Sequence, residues 1–200
     1  MPYPVDHNAR TRERILEAAR ILFNRHGYSG VTIDQVMAEA GLTRGGFYAH
    51  FASKEKLFAE AIEGFLVGRG ARWHAEEGID AHACRPLMAR RMVDAYLSRR
   101  HLDDLDGQCP LIAYATDAAN AGAAVRESYG QLVEAMVWLF ENNLGGEQAD
   151  RRQRALSLTA LCVGGMILAR TLPHSEIAED VRRAAHFEAT AIWSEGAGGN

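Results

Sequence analysis

Cys109 stands directly before Pro110, and a proline in the first position of a helix makes the residue ahead of it the N-cap. There the helix dipole favours thiolate, the reactive form of cysteine. The pair therefore reads either as a redox or electrophile switch or as an ordinary buried thiol. His101, Asp103, Asp104 and Asp106 just upstream are all metal-capable. No i, i+4 helical pair or C-x-x-C fixes a ligand geometry among them, so a solvated acidic loop is the better reading, and no metal or cofactor is expected. Lys54 follows the helix cap Ser53, so its cation opposes the dipole of the helix it opens, a cost that a bound anion would offset. Gly45 and Gly46 lie side by side where a helix is expected, at about 1 kcal/mol each relative to alanine. The usual reason is another backbone, or a ligand, approaching too closely for a Cβ. Paired carboxylates, a Ser/His/Asp grouping, a phosphate loop and zinc spacing are all missing from the sequence, and no catalysis is expected.

Helices must position these groups. Apolar residues repeat at three and four throughout, and no segment alternates at period two for long enough to form a strand. Ile15, Ala18, Ala19, Leu22 and Phe23 mark a first helix over Thr11 to His26, with Gly27 as its stop. Thr32 and Gln35 form a capping box, with Val31 and Val36 as the hydrophobic staple, so a short helix spans Ile33 to about Ala40. Gly41 ends it in the left-handed conformation. Thr43 then caps a third helix, Arg44 to about His50, and two short helices across a Gly-containing turn make a helix-turn-helix pattern. A long amphipathic fourth helix runs from Lys54 to about Glu77. Others are placed at roughly 85–100, 110–121, 123–143, 149–171 and 175–195, and residues 196–200 form a frayed tail.

At 48% apolar and 24% charged residues, the 200-residue chain can bury a core as one domain or two, which excludes disordered and collagen-like classes. Its longest uncharged stretch, Ala155 to Ala169, is shorter than the roughly 18 to 20 residues a membrane span requires. The N-terminus places charges where a secretory signal needs its apolar segment, so a cytoplasmic location with three reduced thiols is expected. The net charge of -4 advertises no partner. Its distribution is more telling: residues 1–58 carry eight bases and six acids, whereas the remainder carries an excess of acids. One end is thus better suited to meet an anion.

The stretch TIDQVMAEAGLTRGGFYAHFASKEKL, Thr32 to Leu57, resembles the DNA-binding segment of the TetR/AcrR family of bacterial transcriptional regulators. Thr32, Ala40, Gly41, Gly45, Phe47, Tyr48, His50, Phe51, Ser53, Lys54 and Leu57 carry the match, and Met37 and Gly46 depart from the family pattern. The resemblance implies an all-α fold, with an N-terminal three-helix helix-turn-helix DNA-binding domain over residues 1–53. A C-terminal helical effector-binding and dimerisation domain would fill 54–195. It also implies a ligand-responsive regulator, in the simplest form a repressor, which binds a palindromic double-stranded operator as a homodimer and is released by a small-molecule effector, with no membrane partner. Thr32, Thr43, Arg44, Gly45, Gly46, Tyr48, His50 and Lys54 are then its DNA contacts. Thr43 and Arg44 sit at the end of the recognition helix that enters the major groove. Arg44 can reach guanine or phosphate, Tyr48 can donate to the DNA backbone, and the family pattern gives His50 and Lys54 to phosphate.

Effector contacts are sought among Phe65, Met92, Tyr96, Tyr114, Tyr129 and Trp138, which fit plain core equally well at helical spacing. The dimer interface is expected on Leu158, Leu161, Cys162, Gly165 and Leu168, with Val181, Ala185 and Ile192 on the last helix. The alternative is that both helices close the monomer's own core. Cys109 as a thiol sensor of oxidants or electrophiles is the second functional reading. Arg10, Arg12 and Arg14 read equally as an arm entering the minor groove or as a frayed start.

Overall fold

Helix α1 (Val5–His26) begins a turn and a half before the expected Thr11. The reason is visible at that residue: the Thr11 hydroxyl donates back to the His7 carbonyl (2.8 Å), so it sits within a turn and does not cap one. The structure, a computed structural model, describes residues 5–195 and the side chains of 7–193. The expected frayed tail at 196–200 lies outside the described residues. Arg12 pairs with Glu60 and lies 4.6 Å over the Phe51 ring, while Arg14 donates to the Ala40 carbonyl. These two arginines pin α1 to its neighbours and form neither an arm nor a frayed start.

Helix α2 (Ile33–Glu39) has both halves of its capping box. Gly27 and Gly41 take positive φ (69° and 67°), the left-handed exit that a Cβ disfavours. The third element, Arg44–Ala49, is wound as a 3-10 helix, which suits a short segment with two glycines. The expected long fourth helix divides into α3 (Lys54–Glu63) and α4 (Arg69–Glu76). Gly64, Gly68 and Gly70 cause the break: a Cβ on Gly70 would lie 2.8 Å from the Phe65 carbonyl. Two further helices also divide. Residues 85–100 become α5 (Pro86–Tyr96) and α6 (Arg99–Asp103), the latter capped by Ser98. Residues 110–121 become α7 (Pro110–Ala113) and α8 (Ala115–Asn120). Then follow α9 (Ala123–Asn142), α10 (Gln148–Thr171) and α11 (Glu176–Glu195). All regular elements among the described residues are helices.

By length and composition α10 is apolar enough to cross a bilayer. Here it is a bundle helix, with Ala155, Leu158, Cys162, Met166 and Ala169 buried and neighbours α9 and α11 on either side. Gly165 allows the close crossing, since a Cβ there would come 2.6 Å from that of Ala185. Leu158, Cys162, Gly165 and Ala185, expected at a dimer interface, therefore face this chain's own core, and Leu161, Val181 and Ile192 are half-buried. Of the expected set only Leu168, 53% exposed, stands fully on the surface. Repeats at three and four identify an apolar stripe but not the neighbour that covers it. A second stripe remains open: Leu156, Ala160, Gly164 and Leu168 on α10, with Ile177 and Phe187 (72% exposed) on α11.

Candidate nucleic-acid interface and a buried cavity

Phe47 and Phe51, both buried and 5.8 Å apart between ring centroids, anchor the 3-10 helix and turn its other side outward. That side carries Thr43, Arg44, Gly45 and Tyr48, all exposed, with Tyr48 at 63% and its ring edge-on to Phe47. Thr43 makes no side-chain cap, contrary to expectation, so its hydroxyl is not committed to its own helix. Arg44 is held over α2 by Asp34 (2.6 Å), an exposed pair of small net worth that can be exchanged for an external anion. A Cβ on Gly45 would meet nothing within 4 Å, and one on Gly46 would make ordinary contact with Met37. The fold itself thus gives no reason for glycine at 45.

Lys54 rests 4.1 Å from the Tyr28 ring centroid, a cation–π contact on which partial burial lowers its pKa. His50 lines an open groove with His7, Asn8 and Arg12 at the start of α1. Thr32 is different, because its hydroxyl accepts from the Gln35 amide and also lies 3.0 Å from the Gln35 side-chain oxygen. Its polar atoms serve the cap. Asp34, Tyr28 and the His7–Asn8 edge were missed in the sequence; only an acid ten residues before Arg44 hinted at the first.

The second feature is a narrow cavity among α4, α5, α6, α7 and α9, of which about 40 Å³ is open to the centres of water molecules. Phe65, Met92 and Tyr96, expected to contact a ligand, line it with Trp73, His101, Cys109, Leu111 and Met136. Tyr114 lies elsewhere in the core with its hydroxyl on the Arg20 carbonyl (3.2 Å). Tyr129 reaches the Leu111 carbonyl (2.8 Å) behind the wall, and Trp138 is exposed beside His82. Cys109 does cap α7, but the expected thiolate does not follow: burial pushes its pKa up to about 11, outweighing the helix terminus.

His101 is buried against Trp73 and Tyr96, each 5.0 Å away between ring centroids, and burial pushes its pKa down to about 4. The unfolded chain protonates an imidazole near pH 6.5, whereas the folded chain holds it neutral to about 4. This contribution to stability is complete above pH 6.5 and is lost as the pH falls toward 4, by about 3 kcal/mol. Urea unfolding at pH 7 and pH 4 should register this loss, and His101→Phe should remove that part of the difference. The acids beside His101 are engaged by arginines: Asp103 by Arg99, Asp104 by Arg69 and Asp106 by Arg25.

That last pairing joins the cavity to the helix-turn-helix unit. Arg25 makes two 2.6 Å contacts with the Asp106 carboxylate, Asn24 donates to the carbonyls of Asp106 and Gln108, and Arg20 donates to the Asp106 carbonyl. The loop between His101 and Cys109, two residues of the cavity wall, thus grips the end of α1.

Residues 15–61 match the family model of bacterial regulatory proteins, tetR family. The chain is 45% identical over 89 residues to the HTH-type transcriptional repressor AcnR of Corynebacterium diphtheriae, covering 44% of this chain and 46% of that one. It is 40% identical over 58 residues to the HTH-type transcriptional regulator YfiR of Bacillus subtilis, covering 29% of this chain and 28% of that one. Both likenesses span less than half of the relative's own length. The fold extends further: a TetR transcriptional regulator from Chloroflexus aurantiacus superposes with a TM-score of 0.73 at 24% identity, over 95% of this chain and 96% of that one. The helix-turn-helix segment thus matches the tetR family of bacterial regulatory proteins, and the helical fold along the rest of the chain is that of solved TetR-family structures.

Proposed function

We propose that the chain is a ligand-responsive transcriptional repressor that binds double-stranded operator DNA in the cytoplasm as a homodimer. The observation that carries this reading is the tip formed by Thr43, Arg44, Gly45 and Tyr48, exposed and open at the glycine to any backbone brought against it. Arg44 leaves Asp34 for a guanine edge or a phosphate, Tyr48 and His50 donate to the DNA backbone, and Lys54 turns from Tyr28 to a phosphate. Thr32 acts through the start of α2, which it caps. The second copy packs against the open stripe of α10 and α11, centred on Leu168 and Phe187, so that two tips meet successive turns of the groove about 34–36 Å apart. An effector in the cavity moves the wall at His101 and Cys109, and with it the loop that holds Arg20, Asn24 and Arg25. The two tips then lose their spacing.

The test is binding to the DNA upstream of the protein's own gene, with footprinting to locate the site. Wild type should sediment as a dimer and protect a palindrome. Lys54→Ala should weaken binding on every sequence and reduce the salt slope by about one. A monomer that ignores duplex DNA at low salt would sink the reading, and an unchanged slope would remove Lys54 from the phosphate contacts.

A further inference from the structure

The cavity holds polar groups that nothing in the fold satisfies. Tyr96 and His101 are 1% and 3% exposed, yet the Tyr96 hydroxyl and both His101 ring nitrogens have no hydrogen-bond partner among the described residues. The Cys109 thiol beside Tyr96 is a weak partner at best. The two rings pack directly against each other, 5.0 Å between centroids, and both line the cavity, where a guest oxygen would be the partner that these groups lack. Trp73, tilted against His101 and edge-on to Tyr96 at 6.3 Å, makes that end of the cavity aromatic.

Charge and size narrow the guest further. No Asp, Glu, Lys or Arg lines the cavity, and its two histidines, His74 and His101, both have their pKa lowered by burial, so that His101 is neutral near pH 7 with one ring donor and one ring acceptor. An anion or a permanent cation would be desolvated there without a counter-charge. The open space corresponds to about three waters, which occupy about 90 Å³ of liquid, roughly one six-membered ring.

We propose that this cavity binds an uncharged molecule with a single aromatic ring bearing a hydroxyl or carbonyl oxygen, the oxygen turned to the Tyr96 and His101 end. This names the effector class and rests on the regulatory reading above only for its consequence on DNA. Calorimetry on the full chain at pH 7.5 tests it with four probes of similar size: p-cresol, toluene, benzoate and benzyltrimethylammonium. p-Cresol should bind at least about tenfold more tightly than toluene, the effect of one or two neutral hydrogen bonds, and the two ions should give no saturable heat. Tyr96→Phe removes only a hydroxyl from a buried ring and should reduce the p-cresol preference to about threefold or less. The proposal is overturned if either ion binds as tightly as p-cresol, if toluene matches it, if Tyr96→Phe keeps the full preference, or if no probe binds. DNA binding is read separately. p-Cresol that binds without weakening the DNA complex leaves the ligand assignment standing and overturns the release scheme, whereas a chain that binds DNA and no probe does the reverse.

Discussion

Phe58→Ala is expected to lower the free energy of unfolding by about 4 kcal/mol, the usual cost of truncating a fully enclosed phenylalanine. At about 2–4 °C per kcal/mol for a chain of this size, the melting temperature should fall by about 8–16 °C. Phe58 is wholly buried on α3, and three rings surround it at 4.9–5.0 Å: Phe23 from α1, Tyr28 from the turn after it and Tyr114 from between α7 and α8. These rings come from both sides of the joint between the helix-turn-helix unit and the helical lobe. Polar contacts along the same seam hold them in place, from the Tyr114 hydroxyl to the Arg20 carbonyl and from the Tyr28 amide to Asp117 (3.0 Å). A cavity at Phe58 therefore loosens the seam through which the proposed signal passes, and on that proposal weaker coupling between ligand and DNA should accompany the lower melting point. Denaturant unfolding decides the matter, and a loss under about 1 kcal/mol would mean that the seam is held elsewhere.

What could be read in the sequence follows from the range of the forces involved. The helix-turn-helix is specified by neighbours within four residues: the Thr32–Gln35 box forms both of its bonds, and Gly41 takes the positive φ that its position requires. Breaks at Gly64 and Tyr114 escaped notice because a short kink returns the same face to the core, and the apolar period runs on as though unbroken. Cys109 illustrates two effects of opposite sign. Its cap position was legible, but its burial depends on α5 and α9, and desolvation decides the charge state. His101 looked like one more polar residue in an acidic loop, and the partners that empty that loop of free carboxylates, Arg69 and Arg25, lie 35 and 81 residues away. In α10 and α11 two apolar stripes share each helix, and the better-spaced one, through Leu158, Cys162, Gly165 and Ala185, belongs to the monomer, which leaves Leu168 of the expected dimer set on the surface.

Gly45→Leu should leave the fold intact and reduce affinity for the specific DNA site by at least about a thousandfold, the smallest usual gap between specific and non-specific binding. The free protein has no objection to a side chain there: the φ of Gly45 is not positive, a Cβ would touch nothing within 4 Å, and leucine is the better helix former by up to about 1 kcal/mol. Melting temperature should therefore stay level or rise slightly. In the proposed complex the same position is where the backbone comes nearest the duplex, and an isobutyl group would hold Arg44 and Tyr48 away from the groove. Because non-specific binding rests on phosphate contacts such as the one proposed for Lys54, it should survive the substitution far better than specific binding does. Lys54→Ala, by contrast, should weaken both alike. Anisotropy on specific and scrambled duplexes, alongside a thermal melt, separates the two patterns. If Gly45→Leu bound the specific duplex within about tenfold of wild type, the glycine would not face DNA, and the recognition surface would have to be sought along the groove lined by His7, Asn8 and His50.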